Sequence, residues 1–257
     1  MVGDSLKVDL ICLIHKFRIT NHPQLIILLL MSRGLFITGT NTSVGKTQVS
    51  ALIVKSLISD GHRVGVYKPV ASGCKREGTE LIAEDAVKLW EAAGRPGTLD
   101  EVCPQRFRAP LAPSMAAAVE GNSVDRKLLR DGLKVWQQRS DIVIVEGAGG
   151  LMSPLSDEDY NADLAEEFGY PLVVVALNEL GTINATLQTL ITAQNVVPKL
   201  PIAGIVLNRV ALSTSDESIK WNAEEIAHRA SAPLLATVNY GQQQMAPKVD
   251  WFAVAGV

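Results

Sequence analysis

From Gly34 onward, short apolar runs alternate with longer segments of helical period. The runs Ile142-Val143-Ile144-Val145 and Leu172-Val173-Val174-Val175-Ala176 carry no polar interruption. A strand with one wet face alternates apolar and polar positions. An unbroken apolar run instead fits a strand covered on both faces, as in a parallel sheet. The pattern predicts strands over Leu35–Thr38, Arg63–Val70, Asp141–Glu146, Leu172–Leu177, Ile202–Asn208 and Leu234–Val238. Between them it predicts helices over Lys46–Ser59, Glu80–Ala93, Val124–Arg139, Ala162–Phe168, Thr182–Val196 and Asp216–Ala230. The expected fold is therefore α/β, a mainly parallel sheet with helices on both faces and right-handed crossovers. Ligands of such sheets bind beyond the carboxyl ends of the strands, so those ends are where chemistry is sought.

The first thirty-odd residues break this pattern. Leu25 to Met31 is an apolar run of seven, with His15, Lys16 and Arg18 further back. A membrane span needs about 20 apolar residues, and no small-residue cleavage site follows the run. Residues 1–33 are expected to be a non-native or misassigned extension, with Met31 the functional start; the competing expectation is an extra strand or helix packed on the domain. Residues 34–257 show no repeat, linker or composition break and are expected to form a single domain. Of the 257 residues, 47% are apolar and 20% charged, the range of globular proteins. A net charge of −3 with no basic cluster argues against nucleic acid or an anionic membrane as the main partner. Cys12, Cys74 and Cys103 are scattered, with no metal-ligand spacing, which suits reduced thiols in a cytoplasmic protein.

The first strand runs into Gly39-Thr40-Asn41-Thr42-Ser43-Val44-Gly45-Lys46-Thr47, and a helical pattern follows. A glycine-bounded loop ending in Gly-Lys-Thr wraps backbone N–H groups around a chain of phosphates. Its lysine reaches the β- and γ-phosphates, its threonine hydroxyl binds Mg²⁺, and the next helix turns its N-terminus to the anion. Five residues separate Gly39 from Gly45, one more than in the common phosphate loop, so the loop is a longer variant.

Other strand ends carry further candidates. Lys68, in Tyr67-Lys68-Pro69-Val70-Ala71-Ser72-Gly73, is either a second cation for transferred phosphate or a surface lysine near a turn. Glu146, ahead of Gly147-Ala148-Gly149-Gly150, suits a Mg²⁺ site, where carboxylates combine with a hydroxyl such as that of Thr47. Asp85 is a candidate for a further carboxylate, or a helix-surface charge. Asn208 offers a donor and an acceptor matching an adenine edge, but it also reads as a turn asparagine. In Leu180-Gly181-Thr182-Ile183-Asn184, Thr182 is the expected N-cap, and the free N–H groups of that first turn could bind an anion.

These segments, with Pro110-Leu111-Ala112-Pro113 and Pro154-Leu155-Ser156-Asp157, resemble the dethiobiotin synthetase family of phosphate-loop NTPase-like ligases. They fall in the family's order and span most of the chain from residue 34. Lys68-Pro69-Val70-Ala71-Ser72-Gly73 is the most specific match. The resemblance implies an ATP- and Mg²⁺-dependent enzyme that closes a cyclic urea on 7,8-diaminononanoate with CO₂. It also implies a homodimer with the substrate site at the subunit interface. By resemblance Lys46, Lys68 and Thr42 are catalytic. Ser72, Gly149 and Gly150, with Gly181, Thr182, Ile183 and Asn184, bind substrate. Asn41, Thr42, Ser43, Val44, Gly45, Lys46, Thr47 and Asn208 hold the nucleotide, and Thr47, Asp85 and Glu146 hold the metal.

The chain departs from the family at several points. Ser43 stands where many members have Glu, Ser114 where His often occurs, and Glu179 where a basic residue occurs. Asn239-Tyr240-Gly241 replaces a Gly-x-Pro segment at the nucleotide base. Besides an amide-forming ligase of cobalamin synthesis, which would need an appended glutaminase domain with a nucleophilic cysteine, two alternatives accompany this reading. One is a switch ATPase of the partition type, which needs a lysine where this chain has Asn41. The other is a catalytically impaired paralogue.

Overall fold

A computed structural model describes residues 32–212 and 215–256. The expectations for residues 1–31, Cys12 included, lie outside the described residues.

Six parallel strands form the sheet, in the order β2-β5-β1-β6-β7-β8. They are β1 (Arg33–Gly39), β2 (Val64–Tyr67), β5 (Ile142–Gly150), β6 (Leu172–Leu177), β7 (Ile202–Asn208) and β8 (Leu234–Val238). The central strands are buried along almost their whole length, as the unbroken apolar runs require. The longer helices are α1 (Lys46–Ser59), α2 (Glu84–Ala92), α5 (Arg126–Arg139), α6 (Asn161–Phe168), α7 (Thr182–Val196) and α8 (Asn222–Arg229). Short helices α3 (Leu99–Val102), α4 (Pro113–Val119) and α9 (Trp251–Val254) have no strong periodic signature in the sequence.

From β1 the chain crosses toward β2, whereas from β6 it crosses the other way, toward β7. Right-handed connections in opposite directions put their helices on opposite faces. The loop after β1 therefore opens at a topological switch point, where open α/β sheets bind ligands. Among the described residues, no helix is long and apolar enough to cross a membrane.

Several boundaries differ from the sequence expectation: the strand expected over Asp141–Glu146 runs on to Gly150, three other elements shift by one or two residues, and three change more. The strand expected over Arg63–Val70 ends at Tyr67, because the next residues pair outside the sheet. Lys68 N–H donates to Val102 O at 2.8 Å and Ala71 N–H to Gln105 O at 2.9 Å. The helix expected over Glu80–Ala93 begins only at Glu84; residues before it form a hairpin of β3 (Lys75–Glu77) and β4 (Glu80–Ile82). The helix expected over Asp216–Ala230 splits into a 3₁₀ turn, Glu217–Lys220, and α8.

Candidate active site

The phosphate loop is built around a left-handed glycine. Gly45 has φ +84°, and a Cβ there would lie 2.0 Å from the Asn208 amide nitrogen. Any other residue would push the loop off β7. Gly45 is also the N-cap of α1, so Lys46 and Thr47 open that helix. Within the loop, Thr42 N–H donates to Asn41 Oδ1 at 2.7 Å, and Lys46 Nζ donates to Asn41 O at 3.3 Å.

Thr42, Ser43 and Lys46 line a cleft of about 490 Å³ together with Lys68, Ser72, Asp85, Gly149 and Ser153. Pro110 to Pro113 form another side of it. The loops after β1, β2 and β5 thus converge, although more than 100 residues separate Thr42 from Gly149 in the sequence.

At its floor, Lys68 is buried, 3% exposed, against the fully buried Glu146. Lys68 Nζ donates to Glu146 Oε1 at 2.7 Å, and Thr47 Oγ1 donates to the same oxygen at 2.9 Å. Asp85, in the first turn of α2, lies 3.4 Å from Lys68 and keeps a half-exposed side chain. Burial alone would lower the Lys68 pKa, but Glu146 and Asp85 outweigh it and hold it above the ordinary lysine value. Lys68 in turn is the main reason the Asp85 carboxyl titrates low, outweighing its burial. Lys46 is pushed down to about 8, first by burial and then by the neighbouring Lys68 charge. Two ammonium groups crowded in one desolvated cleft make a place for a polyanion. Glu146 Oε2 is buried without a partner. Among the described residues, no cluster of three or more His, Cys, Asp or Glu could hold a metal by itself.

The remaining candidates sit elsewhere. Gly150 lies just past the cleft, its N–H donated to Ser153 Oγ at 2.9 Å. Asn208 is fully buried behind the loop; its amide donates to Val44 O at 2.9 Å, leaving Oδ1 without a partner. Thr182 is not the N-cap of α7. That place belongs to Gly181, with φ +95°, and the Thr182 side chain is buried inside the first turn. Gly181, Thr182, Ile183 and Asn184 are not part of the lining of their own chain's cleft. Sequence reading missed Ser153 and Asn161. Both follow a motif in sequence, but their partners are backbone atoms that no residue pattern advertises.

A parallel sheet whose switch-point loop ends in Gly-Lys-Thr, with a second buried lysine beside it, defines a phosphate-loop nucleotide-binding protein. A family model described as an AAA domain matches residues 33–248. The chain belongs to the family of ATP-dependent dethiobiotin synthetases. It is 45% identical over 214 residues to a protein of that name from Rhodopirellula baltica, covering 79% of this chain and 82% of the relative. It is 42% identical over 208 residues to one from Anaeromyxobacter dehalogenans, covering 79% and 89%. Among solved structures, a ParA family ATPase from Chlorobium tepidum superposes with a TM-score of 0.50 at 15% identity, covering 83% of this chain and 86% of that one. That likeness concerns the fold alone.

Proposed function

We propose that this protein closes a cyclic urea on 7,8-diaminononanoate with CO₂, consuming ATP and giving dethiobiotin, ADP and phosphate. One amine adds to CO₂ and loses a proton, giving a carbamate. A carbamate oxygen attacks the γ-phosphorus as ADP leaves, giving a carbamic–phosphoric anhydride. The second amine then attacks the carbonyl carbon, phosphate departs, and the five-membered ring closes.

The difficulty of this sequence is that carbamate and triphosphate are both anions. The observation that most supports the reading is the pairing of Lys46 and Lys68 in one cleft, which offsets that repulsion. Their work is positioning and charge stabilisation rather than covalent chemistry. Lys46, from the phosphate loop, faces the β- and γ-phosphates. Lys68, held by Glu146, faces the transferred phosphoryl and the carbamate, with Thr42 and Ser72 beside it. The nucleoside then extends the other way, over the ends of β6 to β8. There Asn208 Oδ1, without a partner, is the acceptor for the adenine amine, while its amide nitrogen donates one hydrogen to Val44 O.

Thr47, Asp85 and Glu146 are the residues that would hold Mg²⁺. The donor set is all hard oxygen, and the orphaned Glu146 Oε2 is an atom a cation would satisfy. When bound, the ion neutralises charge on the β- and γ-phosphate oxygens.

A homodimer completes the substrate site in this reading. Helix α7 has no charged residue along its fifteen positions; its Ile191 is 58% exposed, and Leu180, just before the helix, is 80% exposed. An uncharged face with exposed apolar side chains suits a second copy of the chain. The start of α7, Gly181 to Asn184, then offers the N–H groups of Ile183 and Asn184 to the diamine's carboxylate across the interface, the Thr182 N–H being held by Glu179 O at 3.1 Å. We further take residues 34–257 as one ligase domain and the cytoplasm as its location, with Cys74 and Cys103 as free thiols. Incubation with the diamine, bicarbonate, ATP and Mg²⁺ should yield dethiobiotin by mass spectrometry. ATP hydrolysis without that product would overturn the assignment.

A further inference from the structure

Beyond Glu146 the chain runs through Gly147, Ala148, Gly149 and Gly150, a ledge whose Ala148 and Gly149 line the cleft. Glycine-rich backbone of this kind has little intrinsic preference for one peptide orientation. Asn161, the first residue of α6, supplies what the ledge lacks. Its side chain is fully buried and all its partners are backbone atoms of the ledge and the turn after it. Asn161 Oδ1 accepts from Ala148 N–H at 3.1 Å. Its amide nitrogen donates to Ala148 O at 2.7 Å and Gly150 O at 2.8 Å, with Ser153 O further off at 3.4 Å. A Cβ on Gly147 would lie 2.5 Å from Asn161 Oδ1, so amide and ledge are in close contact.

A trans peptide is planar, with its C=O and the following N–H pointing opposite ways. Drawing Ala148 O toward Asn161 therefore turns the Gly149 N–H away from it. Gly149 adopts φ +79°, with Ser153 Oγ 2.3 Å from where a Cβ would stand, and it lines the cleft. From the other end, Ser153 Oγ accepts the Gly150 N–H and fixes the next peptide plane.

We propose that Asn161 is a positioning residue that aims the Gly149 N–H into the cleft as a donor to an oxygen of the carbamate or its phosphoryl anhydride. The proposal rests on the ligase reading. It assigns Asn161 no contact with substrate: it acts through the peptide plane it holds. A donor set in place before the reaction costs no reorganisation in the transition state.

Asn161→Asp tests this. It keeps shape and acceptor but presents an oxygen to the carbonyls of Ala148 and Gly150, which repels them when ionised. With wild type confirmed to make dethiobiotin, kcat/KM for the diamine should fall about 10²-fold, the scale of a small misplacement, while KM for ATP holds. The variant-to-wild-type ratio should rise toward acidic pH, where the protonated side chain regains a donor. Amide hydrogen exchange over residues 147–151 should accelerate. Unchanged exchange there, equal losses for ATP and diamine, or a pH-independent ratio that tracks loss of folded protein would each overturn the proposal. Should Asn161→Asp not fold, Ser153→Ala releases the other end of the ledge. It should raise exchange at Gly150 and KM for the diamine with ATP unaffected, and no change in either would overturn the proposal. Exchange reads the clamp even if wild type makes no dethiobiotin, which separates failure of the clamp from failure of the ligase reading.

Discussion

Lys68 Nζ and Glu146 Oε1 lie 2.7 Å apart, both withdrawn from solvent at the floor of the cleft. Removing one partner of such a pair leaves an uncompensated buried charge, a loss of about 3–5 kcal/mol. Lys68→Gln and Glu146→Gln should each lower the melting temperature clearly. The double variant should recover much of that loss, because neither charge is then stranded. Additive losses in thermal denaturation would show that the two do not act as a pair.

Lys46→Ala removes a cation from the polyanion site. Turnover should fall about 10²-fold or more, the scale of one electrostatic contact in a desolvated site. Steady-state kinetics of ADP release check this, and near-normal turnover would remove Lys46 from the chemistry.

Glu146→Gln also probes the metal. The amide keeps the shape and loses the anionic oxygen now without a partner. Activity at low Mg²⁺ should drop and be partly restored at high Mg²⁺. A titration curve superimposable on wild type would separate Glu146 from the ion.

The shared site is tested by mixing subunits. Asn184, exposed at the start of α7, becomes an anion in Asn184→Asp and should repel the diamine carboxylate while sparing ATP. Dimers of Lys46→Ala with Asn184→Asp subunits then contain one site with both an intact lysine and an intact anchor. They should regain activity that neither parent shows. Verified mixed dimers without activity would rule out anchoring across the interface.

Acid stability should depend on Asp159. Hydrogen bonds from Arg126 (Nε, 2.6 Å), Arg130 (2.8 Å) and Ser156 hold its carboxyl far below the usual range. A depressed folded-state pKa stabilises above the unfolded value, about 3.9, and that contribution is lost as pH falls below it. Wild type should lose stability below about pH 4, more steeply than Asp159→Asn, in denaturation curves across pH.

The sequence by itself determined the sheet and the phosphate loop. The strands Leu172–Leu177, Ile202–Asn208 and Leu234–Val238 and the helices Lys46–Ser59 and Thr182–Val196 match their expected bounds, because apolar runs mark the strands and a glycine directly precedes each of the two helices. Gly45, Lys46 and Thr47 were legible for a similar reason: a phosphate cradle is made by consecutive residues. Where an element's end depends on partners distant in sequence, periodicity was silent. The β2 strand stops at Tyr67 because the backbone beyond it pairs with residues 102–105, and Thr182 yields the cap to Gly181 because only the glycine takes the left-handed turn comfortably. Tertiary structure alone decided that Lys68 is a buried cation rather than a surface lysine, and that Asp85 faces it. Both depend on Glu146, 78 residues from Lys68. It also brought Asn161 to the glycine ledge, since a side chain whose partners are all backbone atoms leaves no pattern of residue types to read.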